Sequence, residues 1–346
     1  MKIKVAILGS TGYAGNELVR ILSHHKNVEL VLLGSQSYES KMYYQVYPNS
    51  YKIINLECIN DTLDNISDKV DLIFTATPQG YCASLLNKDI LNKCKIIDLS
   101  ADFRLKNTNT YEQWYKIQHK SKELIKEAIY GLCEIHRKDI KNAKLIANPG
   151  CYTTCAILSL YPLVKENIID LNSIIIDAKS GVSGAGRNIR LDNLFCEINE
   201  NIKAYNISSH RHTPEIEEQL NLFSNEDIIL QFTPHLIPMQ RGILNTIYAN
   251  LKIDLSYNQI KDIFKSYYKD EYFIRLLPED VLPQTRFVKG SNFVDINFQI
   301  NTRTNKIIII SAIDNLIKGA AGQAVQNMNI LFNFEENEAL KNIGIL

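Results

Sequence analysis

The sequence predicts an α/β protein of two domains, a parallel-sheet domain followed by an α+β domain with a mixed or antiparallel sheet. Short apolar strands alternate with helical patterns through the first third of the chain, which is typical of βαβ units. Strand-like runs with few intervening helices follow, which favours a mixed or antiparallel sheet. The length of 346 residues also fits two domains, since domains commonly have about 100–200 residues each.

The elements of the N-terminal domain follow from apolar runs that are broken by turn residues. The predicted strands are Lys2–Leu8, Glu29–Gly34, Asp71–Ala76, Lys95–Leu99 and Lys144–Ala147. The predicted helices are Asn16–Ser23 and a helix near Tyr81–Leu91. Strands spaced by helices in this way indicate a Rossmann-like parallel sheet.

The second part of the chain is richer in strands. Helices are predicted at Thr153–Val164 and at Pro214–Phe223, the latter with proline in its first turn, where it is tolerated. The predicted strands are Ile174–Ala178, Ile228–Thr233, Gly242–Leu251, Phe293–Ile300 and Lys306–Ile313. A last helix, Gly319–Leu331, has apolar residues near helical spacing, so we expect it to pack against one of the domains.

Charge and cysteine content exclude several classes of protein. Lys+Arg and Asp+Glu both number 38, so no nucleic-acid or membrane partner is expected. The first apolar run is broken by Gly9 and does not match a signal peptide. Seven cysteines without a tight framework indicate reduced thiols and a cytoplasmic location. Because no Cys-x-x-Cys pair occurs, no metal site is expected.

A glycine-rich turn joins the first predicted strand to the first predicted helix. Glycines permit a tight turn and a close approach of backbone N–H groups to a phosphate, and the helix N-terminus attracts an anion. This position favours a dinucleotide-binding turn, and a purely structural glycine turn is the alternative. The predicted cofactor-binding residues of the turn are Gly9, Ser10, Thr11, Gly12, Tyr13, Ala14 and Gly15.

The end of the second predicted strand indicates which dinucleotide would bind. NAD sites usually place a carboxylate there for the ribose 2′-hydroxyl. This strand instead runs into Ser35 and Ser37, with Lys41 nearby, and these donors suit the 2′-phosphate of NADP(H). The turn after the third strand, which contains Thr77 and Pro78, lies at the carboxyl edge of the sheet and is a second candidate cofactor contact. A plain strand-to-helix connection is the alternative there.

Cys151 stands in the turn between a predicted strand and a predicted helix. Pro149 and Gly150 enforce a sharp turn that leaves the thiol at or just before the helix N-terminus. The partial positive charge there stabilises the thiolate, which is the reactive form. We therefore predict that Cys151 is a nucleophile, whereas Cys155, one helical turn on, is more typical of a core residue.

A catalytic thiol commonly has a histidine partner. The segment His210-Arg211-His212-Thr213-Pro214-Glu215 concentrates two histidines, an arginine and a carboxylate just before a helix. A solvated polar loop is the alternative. A Gly/Ser-rich loop, Ser180–Arg187, lacks the Lys-Ser/Thr ending of a nucleotide-triphosphate loop, but its arginine suits a substrate phosphate or carboxylate.

Taken together, these segments resemble the N-acetyl-γ-glutamyl-phosphate reductases, the arginine-biosynthesis members of the semialdehyde dehydrogenase group. The resemblance covers nearly the whole chain. Its markers are Gly9–Gly15, Asp98–Arg104, Asn148–Thr154, Ser180–Arg187, His210–Glu215, Phe232–Gly242 and Ala312–Gly319. The chain departs from the family pattern at Thr153 and at Cys133, where the family usually has proline.

The resemblance implies an oxidoreductase that uses NADPH to reduce an acyl phosphate to an aldehyde and releases inorganic phosphate, with Cys151 forming a thioester. It implies that His210, or else His212, is the acid/base. Further cofactor contacts are assigned to Ser180, Gly181 and Asn315. Substrate contacts are assigned to Arg104, Arg187, Arg211, His212 and Glu215.

The family fold implies a dinucleotide-binding domain at 1–149, completed by a C-terminal helix at 316–346, and a catalytic and dimerisation domain at 150–315. The expected assembly is a homodimer or homotetramer. Three alternatives remain open from the residues: a reductase like aspartate-semialdehyde dehydrogenase, a thiol hydrolase or acyltransferase without a redox step, and an NADP-sensing regulator. The last two leave either the glycine turn or the cysteine turn without a role.

Overall fold

The structure, a computed structural model, describes residues 2–345 and divides into two compact units. The first unit consists of residues 2–150 together with Ala320–Lys341. The second consists of Cys151–Gly319 and residues 342–345. The assignment of dinucleotide binding to one domain and of catalysis and dimerisation to the other stays a prediction.

The first unit is built on a seven-stranded sheet in which every strand pair is parallel. Its strands are β1 (Ile3–Leu8), β2 (Val28–Gly34), β3 (Cys58–Ile59), β4 (Leu72–Thr75), β5 (Lys95–Asp98), β6 (Ala128–Tyr130) and β7 (Leu145–Ala147). The order across the sheet is β3-β2-β1-β4-β5-β7-β6. The carboxyl ends of β1, β2 and β4 therefore lie side by side, at the edge where parallel sheets bind ligands.

Helices cover this sheet because its strands are apolar on both faces. The residues of β4 are all buried, which is typical of a parallel strand between two helical layers. The helices, numbered in chain order, are α1 (Tyr13–Leu22), α2 (Tyr43–Val46), α3 (Leu63–Ser67), α4 (Tyr81–Leu85), α5 (Lys88–Lys93), α6 (Thr108–Tyr115), α7 (Cys133–Ile140) and α13 (Gly322–Leu331). The C-terminal helix α13 packs against α1, α7 and β5.

The second unit contains a seven-stranded mixed sheet. Its strands are β8 (Ile175–Gly181), β9 (Lys203–Ala204), β10 (Gln231–Ile237), β11 (Ile243–Asn250), β12 (Ile274–Leu276), β13 (Val294–Asn301) and β14 (Lys306–Ile313). The order is β12-β13-β14-β11-β8-β10-β9, with β8–β10 and β12–β13 parallel and the other pairs antiparallel.

One face of this sheet is buried beneath helices. The helices of the second unit are α8 (Cys151–Lys165), α9 (Phe195–Ile198), α10 (Thr213–Asn221), α11 (Tyr257–Tyr268) and α12 (Thr285–Val288). Residues of β11 alternate between buried and half-buried, which is typical of a strand with one covered face. Helix α8 packs against β11 and β14 on that face. Between β14 and α13 the chain makes a π-helical turn, Ile317–Ala321.

These two sheets confirm the predicted fold class. The helix predicted near Tyr81–Leu91 is in fact two helices, because Asn87 caps a new helix by accepting from the Ile90 N–H. The short strands β3, β6, β9 and β12 were not predicted, since short elements carry little periodic signal. Helix α11 was not predicted either, although its buried residues Ile260, Phe264 and Tyr268 recur at helical spacing. No helix within residues 2–345 is long and apolar enough to cross a membrane.

Candidate active site

The glycine turn of the first unit is closely packed against the turn that follows β4. Gly9 has φ +77°, and a Cβ there would lie 2.3 Å from the Ala76 carbonyl oxygen. A Cβ on Gly15 would lie 2.1 Å from the Gly9 carbonyl oxygen. Both positions therefore require glycine, and the backbone of the turn approaches its surroundings as closely as a phosphate-binding turn needs.

Hydroxyl groups connect this turn to the carboxyl end of β2. The Ser10 hydroxyl donates to the Gly34 carbonyl at 3.0 Å, and the hydroxyls of Thr11 and Ser35 lie 2.8 Å apart. Ser37 is exposed two residues further on, and the Lys41 ammonium lies 5.8 Å from the Tyr38 ring centroid. The structure thus brings the predicted adenosine-end residues to one edge of the first unit.

Two features of this edge fit a dinucleotide. The Thr77 hydroxyl is buried and has no hydrogen-bond partner among the described residues, so a donor from outside the chain would satisfy it. Helix α1 begins after Gly12, which provides no side-chain cap for the first N–H groups. Those groups and the helix dipole attract a phosphate. Pro78 lies exposed beside Thr77.

Arg104 has a buried guanidinium that bonds to the backbone of the first unit. Its Nε donates to the Asn148 carbonyl at 2.8 Å, and its Nη2 donates to the Leu99 carbonyl at 2.8 Å. The neighbouring Asp98 carboxylate accepts from Thr75 and Ser100, and burial raises the pKa of Asp98 to about 6. Arg104 therefore anchors the cysteine turn at Asn148, and its predicted substrate contact stays a prediction.

Cys151 is the first residue of α8, as the turn chemistry predicts, and is half-buried. The π-helical turn lies directly beside it: a Cβ on Gly319 would be only 2.7 Å from the Cys151 Cβ. Cys155, on the next turn of the helix, is fully buried with its sulfur 3.2 Å from the Ser311 hydroxyl, and burial raises its pKa to about 12. The two thiols thus differ in exposure, and Cys155 is a core residue.

His210 lies in a cluster of rings in the same unit. Its ring centroid is 5.6 Å from that of Tyr152, 5.5 Å from that of Tyr205 and 5.1 Å from that of Phe232. The His212 ring is 4.8 Å away. Burial raises the pKa of both Tyr152 and Tyr205, and the charge of Cys151 adds to both shifts, so the thiol lies near this ring cluster.

The protonation of His210 is set by its surroundings. Its Nδ1 accepts the backbone N–H of His212 at 3.1 Å, so the neutral ring has its proton on Nε2. Desolvation by burial, then the charges of His212 and Arg211, lower its pKa to about 2. His210 is therefore a neutral imidazole at physiological pH, with Nε2–H as its donor.

Known proteins match the chain over both units. The family described as semialdehyde dehydrogenase, NAD binding domain, matches residues 4–143, and semialdehyde dehydrogenase, dimerisation domain, matches residues 151–315. An N-acetyl-gamma-glutamyl-phosphate reductase of Lachnoclostridium phytofermentans is 60% identical over 98% of this chain and 98% of its own length. One of Campylobacter jejuni serotype O:2 is 62% identical over 99% of this chain and 98% of its own length.

The chain belongs to the N-acetyl-γ-glutamyl-phosphate reductase family of the semialdehyde dehydrogenases. This confirms the resemblance and the prediction of an oxidoreductase. Aspartate semialdehyde dehydrogenase II of Vibrio cholerae has the same fold, with a TM-score of 0.72 at 17% identity, covering 96% of this chain and 99% of that one. An aspartate semialdehyde dehydrogenase of Candida albicans, solved with NADP, has a TM-score of 0.67 at 16% identity, covering 96% and 99%.

The family's Gly/Ser-rich loop after β8 meets the turn after β14. The Asn315 side chain accepts the Gly242 N–H at 2.8 Å and donates to the Ser183 hydroxyl at 2.9 Å. The Ser180 hydroxyl donates to the Gly181 carbonyl, and a Cβ on Gly181 would lie 2.7 Å from the Arg241 nitrogen. Ser180, Gly181 and Asn315 are thus brought together as one packed cluster.

The residues assigned to substrate in the second unit differ in exposure. Arg187 and Arg211 are exposed, His212 is half-buried, and Glu215 is 1% exposed and accepts from the Thr153 hydroxyl at 2.9 Å. The two arginines are accessible to an anion.

The sequence did not predict three residues that lie near Cys151 or His210: Tyr152, Tyr205 and Gly319. Tyr152 adjoins Cys151 in sequence, but nothing local indicates that its ring packs against His210. The close approach of Gly319 to Cys151 depends on the fold alone.

Proposed function

We propose that this chain reduces N-acetyl-γ-glutamyl phosphate with NADPH to N-acetyl-glutamate 5-semialdehyde, releasing inorganic phosphate, in arginine biosynthesis. The observation that carries the proposal is Cys151 at the start of α8 beside the His210 ring cluster, in a chain 60% identical to a reductase named for this substrate.

NADP(H) is the cofactor of this reductase. The glycine turn Gly9–Gly15 would hold its phosphates, and Ser35, Ser37 and Thr77 would contact its polar groups. When bound, NADPH supplies the hydride of the reduction, while the protein supplies placement and electrostatics. The remaining cofactor contacts, from Pro78, Ser180, Gly181 and Asn315, are part of the proposal.

Cys151 carries the covalent step. Its thiolate attacks the carbonyl carbon of the acyl phosphate, the bond from that carbon to the phosphate oxygen breaks, and phosphate leaves with the electron pair. The product is a thioester on Cys151. After hydride addition, the carbon–sulfur bond breaks, which releases the aldehyde and restores the thiolate. The helix N-terminus stabilises this thiolate as attacking and leaving group.

His210 acts as a hydrogen-bond donor in this proposal. Because Nδ1 accepts the His212 N–H, the neutral ring offers only Nε2–H to a reacting group. A donor in this position stabilises negative charge on oxygen or sulfur, whereas taking a proton at Nε2 would require the other tautomer. We therefore propose that His210 stabilises the developing negative charge through its Nε2–H, and the assignment of the acid/base to His210 or His212 stays a prediction. Arg187 and Arg211 are proposed to bind the substrate's phosphate and carboxylate.

The chain acts on a small-molecule acyl phosphate and contains a dimerisation domain. We propose a homodimer or homotetramer. The open face of the mixed sheet supports this, because half-buried residues such as Leu244, Tyr248 and Ile308 lie on it. The cytoplasmic location stays a prediction.

The reverse reaction tests the proposal against its alternatives. We expect phosphate-dependent reduction of NADP⁺ with N-acetyl-glutamate 5-semialdehyde, measured by absorbance at 340 nm. Its rate should be about tenfold higher than the rate with aspartate semialdehyde. Faster turnover of aspartate semialdehyde would favour the aspartate-specific alternative. Thioester exchange without any NADP⁺ reduction would favour an acyltransferase.

A further inference from the structure

A buried hydrogen bond joins the helix that begins at Cys151 to the helix that follows His210. The Thr153 hydroxyl, in the first turn of α8, donates to the Glu215 carboxylate, in the first turn of α10, at 2.9 Å. Thr153 is 0% exposed and Glu215 is 1% exposed. Helices α8 and α10 also pack against each other.

We propose that Thr153 and Glu215 are a positioning pair that sets the spacing between Cys151 and His210. The proposal rests on the proposed function of those two residues and assigns Glu215 a task other than substrate binding. Each member of the pair acts through the short, rigid stretch of chain that connects it to a reactive residue.

The connections on both sides are stiff. On one side, only Tyr152 separates Thr153 from Cys151 within the same helical turn. On the other side, the Thr213 N–H donates to the His210 carbonyl at 3.0 Å and the Ile216 N–H donates to the His212 carbonyl at 3.0 Å. A shift at either end of the hydrogen bond is therefore passed on to the sulfur or to the imidazole ring.

The chemistry of the pair suits a fixed spacing. A hydrogen bond to a carboxylate is roughly twice as strong as a neutral one, so it resists stretching. Removing the hydroxyl would leave the buried carboxylate with one donor fewer, which favours movement of α10 away from its present position. Because reacting atoms must be held within about 1 Å, a small movement of this kind is measurable in turnover.

The pair also explains how this chain differs from its family pattern. The family usually has proline at position 153, where the ring fixes the backbone of the first helical turn. Threonine does not fix the backbone in this way. Its hydroxyl instead holds the first turn of α8 in place through the hydrogen bond to Glu215. At the other departure from the family pattern, the Cys133 side chain also makes polar contacts: its sulfur lies 3.2 Å from the Asn327 side-chain oxygen and 3.0 Å from the Gln323 side-chain nitrogen.

Three variants of Thr153 and one matched control test the proposal in the full-length protein. Thr153→Val keeps the shape and removes the hydroxyl, Thr153→Ser keeps the hydroxyl, and Thr153→Pro restores the family residue. Thr154→Val is the control, because the buried Thr154 hydroxyl has no hydrogen-bond partner among the described residues. Readouts are kcat and KM for NADP⁺, Tm, and the pH profile of Cys151 alkylation, resolved by peptide mass.

We expect Thr153→Val to lower kcat by about tenfold, with KM for NADP⁺ unchanged and the alkylation profile of Cys151 shifted. Thr153→Ser should stay within about threefold of the parent, since it keeps the hydroxyl. Thr153→Pro constrains α8 but leaves Glu215 without this donor, so its kcat should lie between those of Thr153→Val and the parent. Thr154→Val should match the parent in kcat and in the alkylation profile.

Equal kcat and alkylation profiles in Thr153→Val and the parent would overturn the proposal. So would an equal loss in Thr154→Val, or a failure of both Thr153→Ser and Thr153→Pro to retain turnover. If Thr153→Val does not fold, the serine and proline variants still decide. Failure of the proposed function is distinguishable, because the parent protein itself would then show no phosphate-dependent NADP⁺ reduction while alkylation still reports on the pair.

Discussion

The two strand-to-helix turns of this protein connect similar elements but depend on different features of their residues. The turn Gly9–Gly15 leads from β1 into α1, and the turn Asn148–Thr154 leads from β7 into α8. In the first, glycines are required because a Cβ would clash with backbone oxygen atoms. In the second, side chains matter: Cys151 meets the ring cluster of His210, and Thr153 bonds to Glu215.

The two turns differ in how far apart in sequence their contributing residues lie. The motif of the glycine turn is recognisable within seven positions, although Gly9 also packs against the Ala76 oxygen of a distant turn. In the proposed mechanism, the cysteine turn needs His210, which comes much later in the chain. Substitutions in the glycine turn should therefore change cofactor binding, whereas substitutions in the cysteine turn should change the chemistry of the thiol.

The largest effect is expected at the nucleophile. Cys151→Ser should lower turnover by on the order of 10⁴-fold or more, because a hydroxyl has no accessible anionic form here. Affinity for NADPH, measured by fluorescence titration, should stay within a factor of about two, since the glycine turn is unaltered. Full reductase activity in this variant would remove Cys151 from the mechanism.

The second largest loss of turnover is expected at His210. His210→Ala should lower kcat by about 10²–10³-fold, and His210→Gln, which keeps a side-chain N–H donor, should recover part of that loss. Because burial lowers the pKa of His210 to about 2, below its unfolded value, the ring should be neutral from pH 5 to 8. An imidazolium signal for His210 by ¹⁵N NMR in that range, or identical Ala and Gln variants, would contradict the donor role.

Gly319 offers a steric test of the cysteine turn. Gly319→Ala should displace Cys151 by up to about 1 Å and lower kcat by about 10²-fold, because Asp314 holds the opposing turn through the N–H groups of Gly290 and Leu316. Gly34→Ala, whose Cβ would lie 2.5 Å from the Leu8 side chain, is the comparison: it should lower Tm without altering Cys151 alkylation in the absence of cofactor. Equal alkylation profiles for both variants would argue against a positional effect.

The glycine turn should respond through cofactor affinity. Gly9→Ala must accept φ +77° and a contact of 2.3 Å with the Ala76 oxygen, which together cost about 2–4 kcal/mol. NADPH affinity should therefore fall by at least about tenfold, while Cys151 alkylation in the absence of cofactor is unchanged. Gly12→Ala, whose Cβ would be 3.4 Å from its nearest neighbour, should lose less. The reverse order of losses would show that the turn does not depend on this packing.

The smallest effect is expected at Cys155. Cys155→Ala should leave kcat within about twofold and lower the free energy of unfolding by about 1–2 kcal/mol, through a lost buried sulfur contact. Chemical denaturation and steady-state rates measure the two quantities. A loss of turnover comparable to that of Cys151→Ser would mean that the two thiols are not distinguished by burial.

Strong periodicity and strongly constrained turns made much of the fold predictable. The parallel sheet follows from buried apolar strands such as Leu72–Thr75, and the glycine turn follows from its place between β1 and α1. Short elements were missed: Cys58–Ile59 pairs with β2 as an edge strand, although two residues carry no pattern of their own.

The amino-acid sequence by itself determined the class of fold, the glycine turn and the cysteine at the start of a helix, because the signal for each lies in residues close together in the chain. Only the tertiary structure decided that the ring cluster of His210 and Tyr205 lies near Cys151, that Gly319 leaves room for Cys151 and that Thr153 bonds to Glu215. These contacts join positions far apart in sequence, and folding brings them together by packing α8 against the mixed sheet and α10 against α8.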